Sequence, residues 1–346
     1  MKPKIAFVGH YKYNCGASNA LLGYLKAGKQ ISCDIRVSKF SHIDKAIQKN
    51  IPTAEKNWQP DLFIISYESY SFLTKQNLDL ICKTIPRKKR IIIDSDAKYS
   101  PLLSKNGDSN HLDNKSFKYW QSLYDSLSDI VLQPIIKSEK NSKIKSFLYF
   151  GMDKHLNKIP KIKKEFELLY VGNNWHRWSD MKSLIMGLKN YRSVVKNIAI
   201  IGKWWDKETA SGFESVTKSN SQFLEKNNIK LFKSAPYGQV ELSMSRGLLN
   251  PILIRPILNS LKLITPRMFE TFVANTVPLI PSYFTHATKL YGSEISKFII
   301  SKNSGNDIEK IIKNYKKYNL IAAKIREELF SKHSYEVRIK ELFKFA

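Results

Sequence analysis

Residues 261–282, LKLITPRMFETFVANTVPLIPS, restrict the fold of this chain most. Thr265 suits an N-cap and Pro266 a first helical position, and the apolar run that follows is closed by Asn275 before a second one, Val277–Ile280. The pattern predicts helix, turn and buried strand, the repeating half of an α/β domain. Arg267 and Glu270 stand three apart, so in such a helix they share a face within the first turn. Two readings are open. The pair is a surface ion bridge on an ordinary capped helix, or the arginine grips a diphosphate while the carboxylate accepts two ribose hydroxyls. In the second reading the helix dipole at Thr265–Arg267 adds attraction for the anion, and a nucleoside diphosphate sugar carries both groups.

Short apolar runs of the same kind recur along the chain. Lys4–Val8, Ile31–Val37, Leu62–Ser66, Ile91–Ile93, Asp129–Leu132 and Ser146–Phe150 are followed by Glu167–Val171, Asn197–Ile201, Ile229–Phe232, Ile252–Ile254 and Phe298–Ile300. Helical patterns lie between them, among them Asn19–Lys26, Ile43–Lys49 and Ser116–Ser128. A chain of 346 residues is long for one core and comfortable for two. The expectation is α/β, with two Rossmann-like domains at 1–155 and 165–325. The lysine-rich stretch Asp153–Lys164 reads as the linker between them. Residues 307–344 are helical in pattern, and 326–346 reads as a separate closing helix.

Lys and Arg number 57 against 30 Asp and Glu, a net charge of +27. An excess of this size points to nucleic acid, an anionic membrane face or an acidic acceptor, although it is spread over both halves and dominated by lysine. Local concentrations are Arg87-Lys88-Lys89-Arg90 and the lysines of 154–164. No run approaches the ~18–20 apolar residues of a membrane span, and the start, MKPKIAFVGHYKY, is strand-like. Cys15, Cys33 and Cys82 lack metal-ligand spacing. The expectation is a cytoplasmic protein, its basic surface able to rest on the inner membrane face, with no metal site.

Several loops at strand ends carry candidate chemistry. Gly9–Ser18, after the first strand, is either a tight βα turn or a loop near phosphates or acceptor, and it lacks the GxGxxG spacing. Glu68 follows the strand Leu62–Ser66. Ile91–Ile93 runs into Asp94-Ser95-Asp96, where three readings compete: Asp96 as a general base, the pair as a divalent-metal ligand, or a carboxylate capping the next segment. His111, beside Asp108 and Asn110, either orients an acceptor or assists proton transfer, or is simply an exposed loop histidine. After Glu167–Val171 come Gly172, Asn173, Asn174 and Arg177 ahead of a helix, an order that brings backbone close to a pyrophosphate and sets a cation over it. Arg255 is either a second such cation or a surface residue. Trp175 and Trp178 pack the helix start.

TPRMFETFVANTVPLIPS resembles the donor-binding segment of GT-B glycosyltransferases (glycosyl transferase group 1, CgeB-like), in which R-x-x-E, a small-residue turn and an apolar strand recur in the second domain. More weakly, Ile91–Lys98 and Glu167–Arg177 are similar to the T-even phage DNA β-glucosyltransferases. The resemblance implies two Rossmann-like domains facing across a cleft, the first for the acceptor and the second for a nucleotide sugar, with a C-terminal helix crossing back to the first. It implies diphosphate binding at Gly172, Asn173, Arg177 and Arg267, ribose binding at Glu270, and backbone contacts from Ser234-Ala235-Pro236 to the donor base. It further implies Asp96 as base in an inverting reaction, and no cofactor beyond the nucleotide-sugar co-substrate. The acceptor expected first is a cell-surface glycan or lipid-linked sugar. DNA is the alternative, and a binding module without turnover is a third reading.

Overall fold

The computed structural model describes residues 2–55, 57–66, 73–100, 117–138, 143–154, 162–301 and 303–345. They form two compact units. Unit 1 comprises Met1–Asp153, Ser260–Pro266 and Lys332–Ala346, and unit 2 comprises Lys154–Asn259 and Arg267–Ser331. His111 and Glu68 lie outside the described residues, as does most of the stretch read as a linker.

Unit 1 runs β1 (Lys4–Val8), β2 (His10–Tyr11), α1 (Gly16–Gln30), β3 (Asp34–Val37), β4 (His42–Ile43), α2 (Lys45–Gln48), β5 (Leu62–Ser66), α3 (Lys75–Thr84), β6 (Arg90–Ile93), α4 (Phe117–Leu127), β7 (Ile130–Gln133) and β8 (Ile144–Ser146). Its six-stranded sheet has the order β3-β1-β5-β6-β7-β8, parallel throughout. β5 and β6 are buried along their whole length, because a parallel sheet is covered on both faces. Phe63, Ile65, Ile92 and Val131 of the sheet pack with Ile81 of α3 and with Trp120, Tyr124 and Leu127 of α4. Side chains start two of the helices: Asp44 accepts from Ala46 N at 2.7 Å, and Thr74 from Asn77 N at 3.2 Å.

The structure corrects one strand here. The run expected at Ser146–Phe150 pairs only as Ile144–Ser146. Phe147, Tyr149 and Phe150 are buried for another reason, since Tyr149 stacks on Tyr24 at 5.4 Å and Phe147 meets Phe345 edge-on. Their apolarity serves packing against helices and the C-terminal segment.

Unit 2 continues with β9 (Phe166–Val171), α5 (Trp178–Gly187), β10 (Ile198–Ile201), α6 (Glu214–Thr217), α7 (Ser221–Lys226), β11 (Ile229–Phe232), α8 (Val240–Met244), β12 (Gly247–Pro251), α9 (Pro256–Ser260), α10 (Arg267–Val273), β13 (Val277–Pro281), α11 (Ala287–Tyr291), β14 (Ile299–Ile300), α12 (Ser304–Lys313), α13 (Tyr315–His333) and α14 (Tyr335–Leu342), the last of which belongs to unit 1. The six strands are again parallel, in the order β11-β10-β9-β12-β13-β14. In local numbering this is 3-2-1-4-5-6, whose direction of winding reverses between β9 and β12. Ligands of open α/β sheets bind outside the carboxyl ends of the strands at that reversal. The strand expected at Ile252–Ile254 lies earlier, at Gly247–Pro251. Ile252–Ile254 are buried beyond its end, and Ile252 N still donates to Leu279 O at 2.9 Å.

Two further segments complete unit 1. In 260–266, Leu263 forms an antiparallel bridge with Ile135, and Ile264 N donates to Pro134 O at 2.7 Å. In the C-terminal segment, Ser334 bridges Met152, and α14 lies on α1 with Tyr335 against Gly23 and Tyr24. Arg338, 2% exposed, binds Glu341 at 2.7 Å and His333 Nδ1 at 2.5 Å. The C-terminal helix thus returns to the first domain, as the resemblance implied.

The basic run Arg87–Arg90 is largely consumed by the fold. Arg87 binds Asp129 at 2.8 Å and the last carbonyls of α4, Lys89 Nζ donates to Pro60 O, and Arg90 is buried beside Cys82. Lysine and arginine at a helix C-terminus complement its dipole, so this cluster stabilises unit 1 rather than lying free on its surface.

Candidate functional site

The reversal point of unit 2 gathers the chain's most concentrated set of candidates. β9 ends at Val171, and Gly172 follows with its N–H donating to Ile201 O at 2.8 Å and its carbonyl accepting from Trp205 Nε1 at 2.7 Å. The backbones after β9 and β10 touch: a β-carbon on Gly202 would stand 2.2 Å from Gly172 O. On the other side of Gly172 lies Arg267, and a β-carbon at 172 would meet its Nη2 at 2.9 Å and Tyr170 Oη at 2.8 Å. At Gly202 glycine is required by the approach of backbone, without any unusual φ, whereas at Gly172 an added carbon would press on the ends of two side chains.

Arg267 is held on three sides. Glu270 Oε2 lies 3.4 Å from Nη1, Met244 Sδ accepts from Nη1 at 3.1 Å, and the Tyr170 ring lies 5.5 Å from Cζ. The side chains of Arg267 and Glu270 keep 15% and 11% of their exposure, so this is a nearly desolvated pair and not the surface bridge of the first reading. α10 has only seven residues, and the charge at its start therefore comes from Arg267 itself more than from a helix dipole.

Arg177 Nη1 donates to Trp175 O at 2.8 Å and its Nε to Leu253 O at 3.3 Å. Burial pushes its guanidinium below the ordinary value, and the neighbouring charges of Arg267 and Arg255 push the same way, against the Tyr170 hydroxyl. Three arginines therefore share one strand-end region. Asp180 partly offsets them; its oxygen accepts from Tyr283 Oη at 2.5 Å, and burial raises its carboxyl above the usual range despite Arg177. Gathering like charges costs free energy, which an anion bound among them would offset.

The remaining candidates of unit 2 brace the loops. Asn173 Oδ1 accepts from Lys203 N at 2.9 Å and from Ser234 Oγ at 3.3 Å, which ties together the loops after β9, β10 and β11. Ala235 is buried on the core formed by Leu169, Val171, Ala199 and Met244. Thr265 belongs to unit 1, in segment 260–266. Tyr170, Met244, Asp180 and Tyr283 were not among the sequence candidates. Tyr170 sits in a largely apolar strand and Tyr283 in a turn, and neither position carries a pattern that marks it.

In unit 1, Asp94 and Asp96 follow β6. Asp94 is fully buried and accepts from Lys98 N at 2.8 Å, Tyr99 N at 2.9 Å and Gln133 Nε2 at 2.8 Å. Burial raises its carboxyl to about 6 against those bonds, with Asp96's charge adding to the rise. Both of its oxygens are engaged, so Asp94 acts as the capping carboxylate of this loop and the pair does not offer two unengaged carboxylates to a cation. Asp96 is half-buried, next to Ala97 at φ +56°. At the end of β1, His10 and His42 face each other at 5.8 Å, with Tyr13 at 5.2 Å from His10. Burial lowers His10 below its ordinary value, and the charges of His42 and Lys12 lower it further. Among the described residues no three His, Cys, Asp or Glu converge on a point that could hold a metal, and no helix is long and apolar enough to cross a membrane.

No family model matches the sequence, and no characterised protein matches it by sequence. Solved structures match it over nearly the whole chain. An alpha-glucosyltransferase in complex with UDP and a 13-mer DNA is 11% identical with a TM-score of 0.69, each chain covered to 99%. A T4 phage BGT mutant in complex with UDP-glucose is 15% identical with a TM-score of 0.59, covering 100% of this chain and 99% of its own. WaaG, a glycosyltransferase involved in lipopolysaccharide biosynthesis, is 10% identical with a TM-score of 0.58 and 99% coverage of both. With two parallel six-stranded sheets and a C-terminal helix returned to the first unit, this chain has the GT-B fold.

Proposed function

We propose that this protein is a glycosyltransferase that binds a nucleoside diphosphate sugar at the carboxyl ends of β9 and β12. The observation that carries the reading is Arg267, pressed onto the Gly172 backbone, paired with Glu270, and within electrostatic reach of Arg177. In this reading the arginines offset the charge that develops on the leaving diphosphate, and Glu270 accepts the ribose hydroxyls. Structural neighbours bound to UDP or UDP-glucose support the ligand class. Asp96 serves as base toward an acceptor hydroxyl if the transfer inverts configuration, and His111 assists it.

DNA is the acceptor we favour, because DNA-bound glucosyltransferases stand among the structural neighbours and the net charge is +27. A cell-surface glycan or lipid-linked acceptor, on the inner face of an anionic membrane, is the second reading, favoured by the likeness to WaaG. Radiolabelled UDP-glucose with duplex DNA bearing hydroxymethylated bases tests both halves. Label in the DNA that disappears with Arg267→Ala supports the reading. Label that reaches only a lipid fraction selects the second acceptor, and a protein that neither binds nor hydrolyses any nucleotide sugar overturns the proposal.

A further inference from the structure

Asp180 stands in the first turn of α5, where a carboxylate suits the helix dipole whichever way it points. Here it is half-buried and committed to a distant partner, since Asp180 Oδ2 accepts from Tyr283 Oη at 2.5 Å across 103 positions of the chain. The same phenol oxygen accepts from the backbone N–H of Ile254. Tyr283 therefore joins the turn after β13 to the loop after β12 and to the start of α5, all within unit 2. Arg177 lies beside this pair, and its charge favours the ionised form of both groups against their burial. Its Nη1 and Nε donate to Trp175 O and Leu253 O, and Asp180 takes its hydrogen bond from the phenol. Arg267 and Arg255 are within electrostatic reach of the same guanidinium. A carboxylate thus faces the arginine group, held in place by a tyrosine.

We propose that Asp180, held by Tyr283, sets the charge balance of this site, so that the nucleoside diphosphate left after transfer is bound less tightly, relative to the donor, than the arginines alone would bind it. The inference rests on reading the strand-end region around Arg267 and Arg177 as the donor site. The two ligands differ there in charge. A nucleoside diphosphate sugar carries about two negative charges, and loss of the sugar frees a terminal phosphate whose second ionisation lies near 6, so the product carries about three at pH 8. A fixed carboxylate repels both ligands, and the product more, because the Coulomb energy scales with the charge of the ligand. Without it the arginines would hold the product hardest, and release of product limits turnover in many enzymes.

The test measures the dissociation constants of UDP and UDP-glucose for the full chain at about pH 8 without divalent cations, or of the GDP or dTDP pair if the wild type selects that base. Each is measured in low salt and at about 1 M salt, where the screening length falls to about 3 Å. Asp180→Asn removes the charge and keeps an acceptor for Tyr283. It is expected to tighten both ligands and UDP more, so that the ratio of the UDP to the UDP-glucose constant falls on the order of fivefold in low salt and by much less in high salt. Asp180→Ser, a second neutral side chain, takes its place if the amide variant does not fold. Tyr283→Phe keeps the carboxylate and is expected to leave the ratio near that of the wild type. An unchanged ratio in the neutral variants overturns the inference, as does a fall that persists in high salt or is matched by Tyr283→Phe, since either marks a reshaped pocket. Those outcomes leave the donor site standing. A wild type that binds no UDP, GDP or dTDP sugar overturns the donor-site reading, and the inference with it.

Discussion

The guanidinium of Arg267 rests on the backbone of Gly172, so close that a β-carbon at 172 would stand 2.9 Å from Nη2. One residue begins a short helix and the other follows a strand, far earlier in the chain. Their contact makes the first-turn arginine part of the loop after β9, and it explains why a glycine stands where the chain has no need of a left-handed φ.

Gly172→Ala is therefore expected to displace the guanidinium and reduce nucleotide-sugar affinity by on the order of tenfold or more. The Arg267 side chain keeps some freedom to yield, so the unfolding temperature should change little. Donor-induced thermal stabilisation, compared between variant and wild type at equal ligand concentration, measures the effect.

Glu270→Gln keeps the shape of the side chain and removes its charge, which both pairs with Arg267 at 3.4 Å and, in the proposed complex, receives ribose hydroxyls. Hydrogen bonds to a charged group contribute about 1.5–3 kcal/mol. The donor KM should rise by about tenfold or more, and kcat should fall less. Steady-state kinetics with varied donor and saturating acceptor distinguishes this from a general loss of folded enzyme.

Asp94 gives a pH dependence with a definite sign. Its folded-state value of about 6 lies above the ordinary 3.8, so its contribution to stability is fully present below the ordinary value and is lost as pH rises through 6. Asp94→Asn should flatten the dependence of unfolding free energy on pH between 3.8 and 6. The substitution also replaces one acceptor by a donor among four hydrogen bonds, with a pH-independent loss of about 1–3 kcal/mol. Urea unfolding across that range reads both effects.

Lys164 carries the opposite sign. Its Nζ donates to Ser245 O and Asn275 O, at the ends of α8 and α10, and burial together with Arg326 lowers it to about 8 from 10.5. Its contribution to stability is present above the higher value and is lost as pH falls through 8. Unfolding measured from pH 8 to 10.5 should show stability rising with pH from this group, and Lys164→Met should abolish that rise.

Gly23→Ala probes the closure of unit 1. The added carbon would stand 2.2 Å from Tyr335 Cε2, on a ring that is itself packed edge-on against Tyr24 at 5.0 Å. In an unobstructed helix alanine would stabilise. Here overpacking is expected to destabilise by about 1–3 kcal/mol, visible as a lower thermal midpoint.

The alternation of the fold was legible because buried parallel strands are short apolar runs: Leu62–Ser66 appears where its letters place it, and Asn197–Ile201 as Ile198–Ile201. Ser146–Phe150 misled, because the same letters describe a segment that packs on helices without pairing. Arg267 and Glu270 could be singled out since spacing on a helix fixes a shared face. Tyr170, Met244 and Asp180 could not, because they reach the same place from other elements, and no local pattern encodes that convergence. Asp94 illustrates the remaining difficulty. Sequence offered two carboxylates after a strand, and only the donors around them show which one holds the loop.

The return of residues 332–345 to unit 1 bears on how the chain is made. A ribosome emits the first 153 residues long before the strip that covers Tyr24, Tyr149 and Gly23 exists. Until then the amino-terminal sheet keeps an uncovered aromatic flank, exposed to nascent-chain chaperones. The uninterrupted majority of unit 2 emerges in the meantime, so the half translated second is free to reach its native state first.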